Sequence, residues 1–61
     1  MTVNAEDLRK GITGLNIAKE RLIEIEVEFR DSADARGRDV SVALGYVDAA
    51  LLWLDNLVES F

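Results

Sequence analysis

The chain has 61 residues, no Cys, no His and a formal net charge of -5. A chain this short makes one domain at most and buries a smaller share of its surface than a typical domain does. With disulfides and the usual zinc ligands excluded, association is the remaining support for a small core.

The acidic balance excludes binding to DNA or RNA through many Lys and Arg contacts to phosphate, so no nucleic-acid partner is expected. At 49% hydrophobic and 31% charged residues, the composition is that of a folded chain rather than a disordered one. No uninterrupted apolar run approaches the roughly 20 residues of a membrane helix. Residues 1–10 carry charges where a signal peptide places its apolar core. A soluble, cytoplasmic chain with no membrane partner is therefore expected.

In chain order, Leu8, Leu15, Ala18, Leu22, Ile25 and Phe29, with Gly11 admitted to the row, follow three- and four-residue steps, with Ile12 beside them. This predicts a first helix over about 5–30. The stretch Leu22 to Phe29 also alternates with period two and is rich in β-branched residues, a strand signature. No second alternating run exists to pair with it, so the helix is retained.

Residues 31–38 lack large apolar side chains and form the expected turn. Gly37 suits a helix C′ position, and Asp31, Ser32, Asp34 and Asp39 are all candidate N-caps. A second helix over about 39–60 follows from the three-four pattern of Val40, Ala43, Val47, Ala50, Leu54, Leu57 and Phe61. Two further apolar rows, Val42-Tyr46-Ala49-Trp53 and Leu44-Leu51-Val58, exceed what one partner helix covers.

The expected fold is all-α, a single domain over 1–61: an antiparallel two-helix hairpin that self-associates into a helical oligomer. All seven basic residues lie at or before Arg38. Folding back is expected to bring Asp55 and Glu59 toward Arg9 and Lys10.

Catalytic chemistry is poorly supplied, with no His, no Cys, no glycine-rich phosphate loop and no Ser in a nucleophile context, so no enzyme, cofactor or catalytic residue is expected. The row Glu20, Glu24, Glu28 reads as a solvated face rather than a metal site. Arg30, Arg36 and Arg38 cluster at the turn beside Ser32 and Ser41. Converging hairpin tips in a trimer or hexamer would offer several guanidinium groups and helix N-terminal N–H groups to one phosphate-bearing ligand. The alternative is that these arginines are solvated or paired with Asp31, Asp34 and Asp39. Trp53 reads as a core or interface anchor, while Tyr46, nearer the arginines, is the better candidate to stack on a base.

The run from Gly37 to Asn56 resembles the signature helix of phage anti-CBASS cyclic-nucleotide sponges and the related hairpin of anti-Thoeris sponges. The pattern is Arg then an acid, Ser two places on, Ala two places later, a mid-helix acid and a Trp; Arg38, Asp39, Ser41, Ala43, Asp48 and Trp53 match it without a gap. The match covers about a third of the chain. Gly45 stands where the family usually has Thr, and no counterpart of the family's N-terminal arm is expected, since the sequence enters the first helix almost at once.

The resemblance implies a homo-oligomer, such as a hexamer, that sequesters cyclic di- or trinucleotides or cyclic ADP-ribose relatives without cleaving them, in the host cytoplasm. Arg38 would face the phosphates, Ser41 would support that site or cap the helix, and Trp53 would pack between hairpins. Together with the turn residues, this makes Arg36, Arg38, Ser41, Gly45 and Tyr46 the candidate ligand-binding set. The alternative function is an oligomeric hairpin that acts as a protein-interaction or regulatory module without a nucleotide ligand.

Overall fold

A computed structural model of the chain describes residues 2–61; Met1, the first residue of the expected domain, lies outside them. The described residues form two helices and no strand: α1 (Ala5–Asp31) and α2 (Arg36–Val58). They pack against each other as a helical hairpin.

The start of α1 is set by a reciprocal cap. Asn4 Oδ1 accepts the Asp7 N–H at 2.9 Å, and the Asp7 carboxylate accepts the Asn4 N–H at 3.5 Å, which satisfies two amides that the helix leaves without partners. Glu6 and Asp7 in the first turn and Arg30 in the last complement the helix dipole.

The connection is shorter than the sequence suggests, covering only residues 32–35. At the end of α1, the Asp34 N–H donates to Phe29 O at 2.8 Å and the Ala33 N–H to Arg30 O at 3.0 Å. These are the two crossed bonds of a Schellman cap. The left-handed residue in that cap is Ala33, with φ 55°. Gly37, expected in the C′ role, instead sits inside the first turn of α2 and is buried. Its place is dictated by crowding, because a Cβ there would lie 3.0 Å from Phe29 Cβ.

None of the candidate caps for α2 occupies the N-cap, which is Ala35; Asp34, just before it, accepts the Arg36 N–H on its Oδ1 at 2.9 Å and the Gly37 N–H on its carbonyl at 3.1 Å. An Asp side chain folding onto the backbone two residues ahead closes a turn in this way.

The Leu22 to Phe29 stretch is helical. α2 covers the face that carries Leu22, Glu26 and Phe29, and burial of that face outweighs the propensity cost of the β-branched residues beside it, about 1 kcal/mol or less.

The inward row of α1 is Leu8, Ile12, Leu15, Lys19, Leu22, Glu26 and Phe29, all half-buried. Ala18, expected in this row, is exposed, and Ile12 and Lys19 take the inward positions. On α2 the row is Gly37, Val40, Leu44, Val47, Leu51, Leu54 and Val58, while Ala43, Ala50, Leu57 and Phe61 are exposed. The expected seam therefore merged two neighbouring rows. The contact of Phe29 with Gly37 and that of Lys19 with Asp48 fix an antiparallel register. The same register brings Leu22 level with Leu44, Leu15 with Leu51 and Ile12 with Leu54.

The core is thin. Leu51, 8% exposed, is the one large side chain buried among the described residues. The radius of gyration is 14.4 Å and the extents are 46 × 17 × 15 Å, whereas a compact chain of this length would have a radius of about 10.5 Å.

Candidate functional site

The turn end of the hairpin carries an open groove of about 490 Å³, with Arg30, Arg38, Ser41 and Glu26 among its lining residues. The last two turns of α1 supply Glu26 and Arg30, and the first turns of α2 supply Gly37, Arg38 and Ser41. Because Gly37 lets α2 approach Phe29 closely, the two helix ends converge there and their outward side chains flank one hollow.

The three turn arginines have different surroundings. Arg36 is committed: its Nε lies 3.1 Å from each Asp34 carboxylate oxygen and its Nη2 lies 2.6 Å from Oδ2. Its guanidinium also stands 5.1 Å from the centre of the Phe29 ring. The hydrogen bonds from Arg36 hold the Asp34 carboxyl down at about 2, and the carboxylate in turn raises the Arg36 pKa. Arg30 Nη2 lies 3.4 Å from Glu26 Oε2. Arg38 makes no ion pair among the described residues.

Of the candidate set, the groove unites Arg38 and Ser41. Arg36 turns away into its fork with Asp34, and Gly45 and Tyr46 lie further along α2, outside the groove. Tyr46 is 75% exposed. The expected help from helix N-terminal amides is not on offer. The Arg36, Gly37 and Arg38 N–H groups already donate to the Asp34 carboxylate, Asp34 O and Ala35 O.

What the groove offers an anion is therefore two guanidinium groups and one hydroxyl, tempered by the carboxylates of Glu26 and Asp34. Glu26 escaped the sequence reading; its position at three- and four-residue steps from Leu22 and Phe29 places it on the inward row.

Elsewhere among the described residues, the ion pair between the helices is Lys19 with Asp48, rather than Arg9 or Lys10 with Asp55 or Glu59. Lys10 is 3.7 Å from Glu6 on its own helix. Glu20, Glu24 and Glu28 are exposed, and Glu24 accepts a bond from Arg21 at 2.9 Å. Among the described residues no group of acids is placed to hold a metal ion.

By length and composition alone, α2 is long and apolar enough to cross a membrane. The sequence criterion of an uninterrupted run passed over it because Asp48 and Asp55 break the apolar stretch. No protein-family model, curated protein or solved structure matches the chain.

Proposed function

We propose that the chain is a self-associating helical hairpin that holds a phosphate-bearing ligand, a cyclic nucleotide, at its turn end and releases it unchanged. The observation that carries this reading is the division of labour among the turn arginines. Asp34 occupies Arg36, whereas Arg38 makes no ion pair among the described residues and lies beside Ser41 on an open groove. Guanidinium groups recognise phosphate oxygens through paired, charge-assisted hydrogen bonds. The groove holds no His or Cys and no organised nucleophile, so sequestration is the chemistry it suits.

In one groove Arg30 is paired with Glu26 and Asp34 is held by Arg36, which leaves Arg38 as the uncommitted cation and makes a weak anion site alone. Several copies around one ligand would multiply the uncommitted Arg38 while each Asp34 stays neutralised by its own Arg36. The resemblance of the Arg38 to Trp53 run to the cyclic-nucleotide sponges supports the same ligand class.

The test is calorimetric titration with a panel of cyclic di- and trinucleotides and cyclic ADP-ribose isomers. The expected result is binding by the native chain, a loss of at least about tenfold in Arg38→Ala, a smaller loss in Arg36→Ala, which leaves the Asp34 carboxylate unneutralised beside the ligand, and recovery of intact ligand. No heat from a folded oligomer would replace this reading with the second one. In that case the hairpin is an interaction module without a ligand, as favoured by the apolar outer face of α2, where Trp53 is 77% exposed.

A further inference from the structure

On the side of α2 turned away from α1, Ala43, Tyr46, Ala50, Trp53 and Leu57 recur at steps of three and four and form one stripe. Trp53 is 77% exposed, Tyr46 75% and Leu57 48%. No Asp, Glu, Lys or Arg falls on this stripe between Ala43 and Leu57, since Asp48 and Asp55 stand on the flank nearer the α1 seam.

The whole chain exposes 4812 Å², whereas a folded monomer of its 6.8 kDa mass exposes about 4,000 Å². The surplus, on the order of 800 Å², equals one partner's share of a standard protein interface.

From these observations we infer that a second copy of the chain covers the stripe, with the two α2 helices antiparallel about a two-fold axis. The alternation of large and small side chains selects this arrangement. A parallel pair sets Trp53 against Trp53 and Ala50 against Ala50, one overfilled layer and one void. The antiparallel pair interleaves them. Trp53 lies beside the partner's Ala50, Tyr46 beside the partner's Leu57, and Ala43 beside the partner's Ser60. Asp39 falls beyond the overlap, so no charge is buried, and the two helix dipoles oppose each other favourably.

This inference rests on the self-association in the reading above, and it stands whether or not a nucleotide binds. It also refines that reading. The two Arg38 side chains of such a pair lie about 40 Å apart along the shared axis. One small ligand therefore cannot bridge them, and each groove meets its ligand alone or with copies joined through another contact.

The chain lacks Cys, so introduced thiols report geometry directly. Ala43→Cys and Ser60→Cys are prepared separately, mixed, dissociated, reassociated and oxidised, with mass followed by sedimentation. The expected result is an even number of chains, and intermolecular disulfide at least about tenfold more abundant in the mixture than in either variant alone. Within each variant the like thiols stand about 25 Å apart. Ala50→Glu should reduce the assembly mass.

Ala43→Cys joining itself would show a parallel pair and overturn the inference. A native chain that stays monomeric, or that floats with phosphatidylcholine vesicles instead of self-associating, would also overturn it. None of these outcomes depends on the nucleotide titration.

Discussion

Gly37 and Phe29 meet at the turn end of the hairpin: a Cβ on Gly37 would lie 3.0 Å from Phe29 Cβ and 3.7 Å from the Arg30 backbone nitrogen. Neither atom can swing aside, because one is fixed to the α1 backbone and the other belongs to it. Gly37→Ala must therefore push the helices apart at the turn and deform the groove above it. Gly14 is a matched control, since nothing stands within 4 Å of its missing Cβ. In urea unfolding, Gly14→Ala is expected to gain roughly 0.5–1 kcal/mol, and Gly37→Ala to lose about 1 kcal/mol despite the same propensity gain. Equal stabilisation by both substitutions would show that the helices do not depend on this approach.

Ala33 presents the opposite case. It occupies the left-handed C′ position with φ 55°, where an L side chain costs roughly 1–2 kcal/mol and glycine costs little. The Schellman bonds on either side hold it there. Ala33→Gly is expected to stabilise the hairpin by about 1 kcal/mol, seen as a rise of about 4–8 °C in Tm for a chain of this size. An unchanged or lower Tm would mean that the added freedom of the unfolded chain outweighs the relieved strain.

These two positions show what the sequence could and could not disclose. The helices and the turn between them were legible, because three- and four-residue apolar steps on both sides of a polar gap admit few other folds. The exact seam was not. Ala18 and Ala43 fit the spacing as well as Ile12 and Leu44 do, and only the packed register separates adjacent rows on a helix with apolar residues all round. A lone Gly near a turn suggests a C′ residue, yet here it serves the close approach to Phe29, a contact 8 residues away along the chain. The groove was half legible: an arginine cluster was visible, but the fork that removes Arg36 from it depends on where Asp34 points.

That fork makes Asp34 sensitive to acid. Hydrogen bonds from the Arg36 side chain and backbone, with the guanidinium charge, lower its pKa from the usual 3.8 to about 2. A carboxyl with a depressed folded pKa adds stability that is fully present above the unfolded value and disappears as pH falls through the folded one. The contribution of Asp34 is thus expected to fade between about pH 4 and pH 2. Asp34→Asn should remove that part of the acid transition. Carbon-detected NMR of the Asp34 carboxyl measures it directly, and a midpoint near 3.8 would refute the fork in solution.

Lys19 and Asp48 form the ion pair that ties the helices together at mid-length. Lys19 takes an inward position between Leu15 and Leu22, so its methylene stem lies along the seam while its ammonium reaches Asp48 at the edge. The side chains are 30% and 57% exposed, which limits the pair to the range of partly solvated bridges, up to about 1 kcal/mol. Its greater effect is on alignment: any slide of α1 along α2 separates the charges and leaves a lysine in an apolar row. A double-mutant cycle with Lys19→Met and Asp48→Asn is expected to give a coupling of about 0.5–1 kcal/mol at low salt that shrinks toward zero in 1 M NaCl. Lys19→Met alone should cost little, because it keeps the stem in place. A coupling that is absent at low salt would leave the mid-helix acid at Asp48 without a role in the hairpin. Its part in the Arg38 to Trp53 pattern would then have to come from the ligand or from another copy.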